Sequence, residues 1–341
     1  MLATECEIGL AALRDAMRIA RSVQREIAPG QKDKEDRSPV TVGDLAVQAV
    51  ISHALQREFP NDPLMGEEGA DELRRPDWAE LLSHVVAHVQ SVSREADSAD
   101  TVLSWIDRGQ ETFDPARRYW VLDPIDGTKG FLRKGQYAIA LALIERGEII
   151  LGMLACPNLP ASLANDVPGE ICASAGQIQY AIRGQGAFSL DVPAEGSLGV
   201  AVPLRVATET DASLLNWCER VETSSRNKDV TAVVAERAGI VKAPYRIDSQ
   251  AKYAVVARGE AALYLRHTLD PTYREKVWDH AAGVLVVQEA GGRVTDLYGR
   301  PLDFTRGREL SANRGIVATN GPIHDRVLEA VAAILPTVEK A

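Results

Sequence analysis

The chain has few cysteines and no long uncharged apolar run. Its four cysteines are scattered over 341 residues without a CxxC pair, at Cys6, Cys156, Cys172 and Cys218. This pattern argues against a disulfide framework or a zinc knuckle and fits a reducing cytosol. No run of about 18 uncharged apolar residues is present, so we do not expect a membrane span. Acids stand near the start, where a secretory signal carries lysines, and we therefore expect a cytoplasmic protein.

The chain also lacks an excess of basic residues. It holds 38 Lys and Arg against 48 Asp and Glu, which gives a net charge of −10. Nucleic-acid polymers are held by basic surfaces, so we do not expect one as a partner. A small phosphate ester is compatible with this charge, because divalent cations can lie between carboxylates and a phosphate. Acidity therefore favours a metal-dependent site.

The length and the 45% hydrophobic content allow a large core, and we expect one compact unit of two sub-domains. Apolar residues at helical spacing predict a helix over 5–28 and a second one that follows Thr41-Val-Gly-Asp44 and runs to about Phe59. A loosely patterned helical insertion spans 71–115, and strand segments follow between 119 and 190. The first part is thus predicted to be two helices against an antiparallel sheet.

A shift in composition near 192–197 marks the predicted division, into sub-domains 1–195 and 196–341. Beyond it, helical and strand patterns alternate, which is typical of an α/β layer. The expected fold class is an α+β part followed by a smaller α/β sub-domain.

The segment Asp123-Pro-Ile-Asp126-Gly-Thr128 places two acids directly after an apolar strand. Pro124 favours extended geometry at Asp123, and Gly127 allows a sharp turn, so both carboxylates can point into one space. Magnesium takes oxygen ligands of this kind, and Thr128 adds a hydroxyl. The alternative is an ordinary turn, since Asp-Pro and Asp-Gly pairs are turn formers.

Three other acids stand in similar settings. Glu67 follows a short strand-like run, and its alternative is a solvated loop residue. Asp44 and Asp279 each stand at the expected start of a helix, where a capping role explains them equally well. We expect His280 to be packed or capping rather than a metal ligand, because the other candidates are all oxygen donors.

Several segments together resemble the lithium-sensitive, magnesium-dependent phosphatase superfamily, which includes inositol monophosphatase and fructose-1,6-bisphosphatase. The segments are Gly66-Glu67-Glu68, 123–131, 136–144, 152–158, Trp278-Asp-His-Ala-Ala-Gly283 and Glu289-Ala-Gly-Gly292. The resemblance runs from about residue 5 to 335, with the insertion as an interruption. It implies the layered αβαβα fold of inositol monophosphatase.

Further segments narrow the resemblance to the 3′(2′),5′-bisphosphate nucleotidases. They are Ser38-Pro-Val-Thr-Val-Gly-Asp44, Lys129-Gly-Phe-Leu-Arg133, Ile247-Asp-Ser-Gln-Ala-Lys-Tyr253 and Tyr264-Leu-Arg266. Those enzymes remove the 3′-phosphate from adenosine 3′,5′-bisphosphate and from its sulfated form. Eukaryotic members carry a Ser-His pair near 224–226, whereas this chain has no histidine there. Arg226 or Lys228 could compensate for it.

The resemblance also implies roles for individual residues. Two or three Mg²⁺ ions would be held by Glu67, Asp123, the Ile125 carbonyl, Asp126 and Asp279. Water would be activated by Asp44 and Thr128. The nucleotide would be contacted by Thr128, Ser249, Lys252, Arg266 and Asp279.

We expect in-line hydrolysis by water, since no cysteine lies in a phosphate-cradling loop. Ser249 and Lys252, three residues apart on one helix, would clamp the second phosphate; a helix cap and a solvated lysine are the alternatives. An inositol or sugar phosphatase of the same fold stays open as the nearest alternative function. A non-catalytic regulator that binds a metabolite is a remote one. The sequence is compatible with a monomer or a homodimer.

Overall fold

The computed structural model describes residues 2–27, 39–163, 175–193, 197–221, 225–267, 270 and 272–338. The α-helices are α1 (Ala3–Glu26), α2 (Pro39–Glu58), α3 (Ala79–Gln90), α4 (Ala99–Asp107), α5 (Thr128–Leu132), α6 (Ser225–Arg237), α7 (Ala251–Ala257), α8 (Ala281–Glu289) and α9 (His324–Val338). The strands are β1 (Leu64–Gly66), β2 (Arg118–Asp126), β3 (Ala138–Glu145), β4 (Glu148–Cys156), β5 (Ala175–Ile182), β6 (Gly186–Pro193), β7 (Val202–Pro203), β8 (Cys218–Glu219), β9 (Tyr245–Arg246), β10 (Leu263–Arg266), β11 (Arg293–Thr295) and β12 (Ile316–Thr319).

The first sheet follows the order of the chain, from β1 to β7. Its neighbours are antiparallel except for β1 and β2, which run parallel. The turn between β3 and β4 has positive φ at Arg146 (54°) and Gly147 (79°), which matches the twist of a tight hairpin. The predicted hairpin strands are thus confirmed, except for a segment at 171–174 that lies outside the described residues.

The second sheet has the strand order β11-β12-β10-β8-β9. Its strands β8, β9 and β10 run parallel, while β12 is antiparallel to both of its neighbours. The predicted alternation of helices and strands in the second half is therefore present as a mixed sheet with helices on its faces.

Five layers stack on one another. Helices α1 and α2 pack on one face of the first sheet, and α7 and α8 lie between the two sheets. Helices α6 and α9 cover the outer face of the second sheet. This is the expected αβαβα arrangement. The predicted division between residues 195 and 196 lies outside the described residues and stays a prediction.

Two helix starts differ from the expectation. Helix α2 begins at Pro39, a favoured first residue of a helix, so Asp44 lies in its second turn. The capping alternative for Asp44 is therefore wrong. Helix α8 begins at Ala281 with His280 at its N-cap position, so Asp279 precedes the helix and does not cap it. No helix in the described ranges has the length and apolar character needed to cross a membrane.

Candidate active site

Strand β2 carries the first two acids at its carboxyl end. Its pairing with β3 is regular as far as Asp123 and shifts between Asp123 and Asp126. Pro124 lies within this shift and has no N–H to donate to the ladder. Asp123 is buried and Asp126 is half-buried at the strand end. The irregularity therefore lies between the two acids, and Asp126 pairs again opposite Ala138.

Asp279 completes a cluster with these two acids. Asp123, Asp126 and Asp279 each offer a carboxylate oxygen, and the three oxygens lie within 4.8 Å of one another. Asp279 comes from the turn before α8, so the cluster joins residues far apart in the chain. The convergence that the motifs suggested is thus present in the structure.

The loop after β1 brings Glu67 to the same place. The parallel pairing sets Gly66 opposite Leu122, so Glu67 follows β1 just as Asp123 continues β2. The buried Gln48 holds this loop, because its Nε2 donates to the Glu68 carbonyl (2.7 Å) and its Oε1 accepts from the Glu68 N–H (3.1 Å).

Arg308 ties the Glu67 loop to the Asp279 turn. Its guanidinium donates to the Gly66 carbonyl and lies 4.8 Å from the centre of the Trp278 ring. Trp278 directly precedes Asp279. One side chain therefore touches both segments that carry acids to the site.

Helix α2 crosses β2 closely and so places Asp44. A Cβ atom on Gly43 would lie 2.6 Å from the Ile125 Cδ1 atom, so a larger residue here would force the end of that side chain to shift. Asp44 is buried, and burial together with the charges of Glu68 and Glu67 raises its pKa well above the usual range. Within the described residues no hydrogen bond joins Asp44 to the exposed Thr128, the first residue of α5.

The acids of the cluster are crowded together. Burial and the neighbouring charges of Glu67 and Asp126 raise the pKa of Asp123 well above its usual range. Glu67 is exposed at the rim of the cluster, where partial desolvation and the charge of Glu68 raise its pKa to about 8. Burial and the charge of Asp279 raise the pKa of Asp126. The Oδ1 atom of Asp123 is buried and has no hydrogen-bond partner in the described part of the chain. Buried carboxylates of this kind require a positive partner, and the donor set suits a hard divalent cation.

A second group of possible ligands, Glu275, Asp279 and His280, is already engaged. His280 is fully buried, its Nδ1 lies 2.8 Å from the Tyr253 hydroxyl and its Nε2 lies 3.1 Å from Glu275. Both ring nitrogens therefore have partners. His280 packs beside Asp279, as the sequence suggested.

A cavity of about 230 Å³ opens beside the acid cluster. Asp126, Thr128 and Asp279 form part of its wall. Ser249, Lys252 and Arg266 form another part, so the cavity joins the predicted metal ligands to the predicted nucleotide contacts.

Ser249 lies outside the helix that the sequence suggested for it. Helix α7 begins at Ala251, and Ser249 has a φ of 66°. Its hydroxyl accepts a hydrogen bond from the Ala251 N–H (3.1 Å), so it does help to cap α7. The Gln250 N–H donates to Asp126, and a Cβ on Gly127 (φ 90°) would lie 2.8 Å from that of Ser249. The expected shared helix face of Ser249 and Lys252 is therefore wrong, although both line the cavity.

Lys252 is buried rather than solvated, with 2% of its surface exposed. Its ammonium donates to the carbonyls of Ile247 (3.1 Å) and Ser249 (2.7 Å) and lies 5.1 Å from the centre of the Tyr264 ring. Burial and the charge of Arg220 lower its pKa to about 8. The solvated alternative is thus wrong, and the ammonium keeps one N–H for the cavity.

Arg266 bridges the two sides of the cavity. Its Nε donates to the buried Glu275 at 2.5 Å, and its Nη2 donates to Asp279 (3.1 Å) and to the Tyr273 hydroxyl (3.0 Å). Burial alone would raise the pKa of Glu275, but the contacts with His280 and Arg266 lower it to about 2. Arg266 therefore contacts both Asp279, a predicted metal ligand, and the buried, negatively charged Glu275 behind it.

Sequence reasoning missed several residues that shape this site. They are Gln48, Arg220, Gln250, Glu275 and Arg308. Gln250 and Glu275 lie in or beside the quoted motifs, and closer attention to those neighbours could have found them. Gln48, Arg220 and Arg308 lie away from the motifs, and only the folded chain brings them to the site.

The chain belongs to the inositol monophosphatase family, whose model matches residues 2–336. Among curated relatives, it is 39% identical to the 3′(2′),5′-bisphosphate nucleotidase of Emericella nidulans, over 95% of this chain and 96% of the relative. It is 41% identical to the 3′(2′),5′-bisphosphate nucleotidase of Oryza sativa, over 93% of this chain and 90% of the relative.

Solved structures support the same fold. An IMPase from Thermotoga maritima is similar with a TM-score of 0.61 and 23% identity, over 99% of this chain and 100% of that one. CysQ from Bacteroides thetaiotaomicron, a bacterial member of the inositol monophosphatase family, also has a TM-score of 0.61, at 18% identity over 94% of this chain and 98% of that one. At these identities the likeness shows the fold alone.

Proposed function

We propose that this chain is a Mg²⁺-dependent phosphomonoesterase that removes the 3′-phosphate of adenosine 3′,5′-bisphosphate and of its sulfated form. The observation that carries the proposal is the meeting of Asp123, Asp126 and Asp279 at the wall of a cavity that Lys252 and Arg266 also line. The names of the curated relatives support the substrate class.

Two or three Mg²⁺ ions would be held by Glu67, Asp123, the Ile125 carbonyl, Asp126 and Asp279. When bound, such ions supply Lewis acidity and lower the pKa of a bound water. The buried, unpartnered Oδ1 of Asp123 supports this assignment, because it requires a positive partner.

Asp44 and Thr128 serve the attacking water. The Thr128 hydroxyl, polarised by Asp44, orients the water and accepts its proton. General-base assistance of this kind contributes about 10²–10⁴-fold to a rate. The place of Asp44 in α2, beside the Glu67 loop, supports this role.

The remaining contacts hold the nucleotide. Thr128 and Asp279 line the cavity together with Asp126, and Ser249, Lys252 and Arg266 line it as well. The Ser249 hydroxyl and the free N–H of Lys252 are donors for a phosphate oxygen. Lithium sensitivity, a role in sulfur metabolism, a cytoplasmic location and a monomeric or homodimeric state complete the proposal, which the family membership supports.

Phosphate release from three substrates tests the proposal. Adenosine 3′,5′-bisphosphate, inositol 1-phosphate and fructose 1,6-bisphosphate are compared side by side with and without Mg²⁺. We expect the highest kcat/KM for the adenosine substrate and no release without the ion. Higher kcat/KM for inositol 1-phosphate would instead identify an inositol phosphatase, and no release from any substrate would overturn the enzymatic function.

Replacement of one acid tests the metal assignment. Asp126→Asn keeps the shape of the side chain and an acceptor for the Gln250 N–H but removes the charge. We expect Mg²⁺-dependent phosphate release to fall by at least about 100-fold, as one ligand charge is lost, while circular dichroism shows a folded chain. Asp100→Asn, at an exposed acid in the first turn of α4, is the control. Full activity of Asp126→Asn would contradict the assignment.

A further inference from the structure

We propose that Arg220 makes the enzyme selective for substrates with a second phosphate, to which its guanidinium donates hydrogen bonds. The inference rests on the proposed function and names a residue that selects the substrate at that site. Arg220 stands outside every motif in the chain that resembles the nucleotidases.

The second sheet places Arg220 beside Arg266. Strands β8 and β10 are parallel neighbours, with Cys218 opposite Tyr264. Arg220 directly follows β8, and Arg266 is the last residue of β10, so both come at the carboxyl ends of these two neighbouring strands. Both line the cavity. Two arginines thus stand side by side at the carboxyl ends of parallel strands.

Lys252 and Arg266 have most of their donors committed, while Lys129 lines the cavity beside Thr128. Lys252 donates two of its three N–H groups to backbone carbonyls. Arg266 donates from its Nε to Glu275 and from its Nη2 to Tyr273 and Asp279. Lys252 keeps one N–H and Arg266 keeps the two of its Nη1, whereas the three oxygens of a terminal phosphate can accept more than three hydrogen bonds.

Arg220 can supply further N–H donors for the phosphate. Its side chain is exposed, and no hydrogen bond or ion pair joins it to another residue within the ranges that the structure describes. A guanidinium has five N–H groups in a planar fork that fits a phosphate. The position can therefore offer two parallel hydrogen bonds to one phosphate.

The local charge also favours an anion between Arg220 and Lys252. Arg220 and Lys252 lie close enough for the positive charge of Arg220 to lower the pKa of Lys252. The opposite charges that act on Lys252 come from Asp126 and Asp248, and Asp248 is already paired with Arg133. A phosphate bound between the two cations would satisfy both.

The position of Arg220 in the cavity explains why it would favour a substrate with two phosphates. The first phosphate must lie at Asp126 and Thr128, where the acids gather. Arg266 of β10 contacts the acid Asp279, and Arg220 follows the next strand, β8, so Arg220 is one strand further from the acids and is placed for a group at the other end of the substrate. A monophosphate that fills the reacting end leaves Arg220 unused. The chain thus has a cation for the second phosphate although it lacks the histidine expected near 224–226.

Steady-state kinetics on two substrates test the inference. Arg220→Gln and Arg220→Lys are compared with the wild type on adenosine 3′,5′-bisphosphate and on adenosine 3′-monophosphate. For Arg220→Gln we expect KM for the bisphosphate to rise about 10- to 100-fold, the loss typical of a charge-assisted pair, with kcat within about twofold. The monophosphate constants should stay within about twofold. Arg220→Lys should retain part of the affinity, since it keeps the charge but not the fork.

A binding measurement without turnover accompanies the kinetics. Calorimetric titration with adenosine 5′-monophosphate, which carries only the second phosphate, should show the same loss of affinity in Arg220→Gln. Arg237→Gln, at an exposed arginine of α6 outside the cavity, is the control and should bind as the wild type does.

Several outcomes would overturn the inference. They are an equal loss on both substrates, no loss on either, or a matching loss in Arg237→Gln. If the wild type hydrolyses the bisphosphate in any of these cases, the proposed function stands and only the role of Arg220 fails. If the wild type releases no phosphate from the bisphosphate, the proposed function fails, and the titration still decides whether Arg220 holds a nucleotide phosphate.

Discussion

At the scale of single residues, the charged side chains of the site are held by backbone groups as well as by one another. Lys252 donates to two carbonyls of the segment that leads into α7. Asp126 accepts the N–H of Gln250 from the same segment. The side chains are thus fixed before a ligand arrives, which lowers the entropic cost of binding.

The lowered pKa of Lys252 predicts a pH dependence of substrate affinity. A lysine with a pKa of about 8 is charged below that pH and neutral above it. We therefore expect KM for adenosine 3′,5′-bisphosphate to rise between pH 7 and pH 9, while KM for adenosine 3′-monophosphate stays nearly constant. Steady-state kinetics in Mg²⁺ across this range provide the measurement.

Lys252→Met supplies the control for that prediction, because it keeps the length of the side chain and removes the titrating group. Its KM for the bisphosphate should be high at every pH and should not vary. A pH response that persists in Lys252→Met would show that another group is responsible.

At the scale of elements, short connections carry the acids, and neighbouring elements hold those connections. The Glu67 loop follows a strand of three residues and is fixed by Gln48 of α2 and by Arg308. The Asp279 turn is fixed by His280, Glu275 and Arg266. The precision of the site therefore comes from packing outside the loops.

Arg308 is expected to position the two acid-bearing segments relative to each other. Arg308→Ala removes the hydrogen bond to Gly66 and the contact with the Trp278 ring. We expect the Mg²⁺ concentration for half-maximal activity to rise about tenfold, in line with the usual cost of losing a supporting contact. The same rise should appear in the Mg²⁺ concentration for half-maximal thermal stabilisation.

Arg306→Ala is the control for this variant, since Arg306 is exposed and pairs only with nearby Asp303 in the described part of the chain. It should leave both Mg²⁺ midpoints unchanged. If Arg308→Ala also leaves them unchanged while it lowers kcat, the role of Arg308 lies elsewhere than in holding the acids.

At the scale of the whole molecule, much of the fold could be read from the sequence. Helical spacing and alternation identified α1, α2 and the hairpins, because those elements have one clear buried face. The start of α2 was missed because Pro39 is compatible with either a turn or a first helical residue. The position of Ser249 was missed because a positive φ at a serine has no sequence signal.

Some residues of the site could likewise be predicted from the sequence, and others could not. The acids at 123, 126 and 279 could be predicted because they stand in recognisable segments. Arg220 and Arg308 could not, because their place depends on strand pairing and on a contact between the Gly66 and Trp278 segments. Residues that act across sheets and loops become visible only when the chain is folded.

The two halves of the molecule bring repelling acids together, so the fold and the ion should be linked. In the metal-free chain, desolvation and neighbouring charge raise the pKa values of Asp44, Asp123 and Asp126, and raise that of Glu67 to about 8. A raised carboxyl pKa contributes stability that is fully present below the unfolded value and is lost as the pH rises through the folded value. The metal-free chain should therefore lose stability between about pH 4.5 and pH 8.

Mg²⁺ should reverse this loss, because it binds the ionised acids of the folded chain only. An ion at about 100 times its dissociation constant contributes about 3 kcal/mol, or about 4 °C in Tm for a chain of this length. We expect the increase in Tm caused by Mg²⁺ to be small at pH 5.5 and to reach that size at pH 8.5, in thermal melts with Mg²⁺ or a chelator. Asp126→Asn should show a smaller increase at pH 8.5. An increase that is equal at both pH values would mean that these acids are not the groups that the ion requires to be ionised.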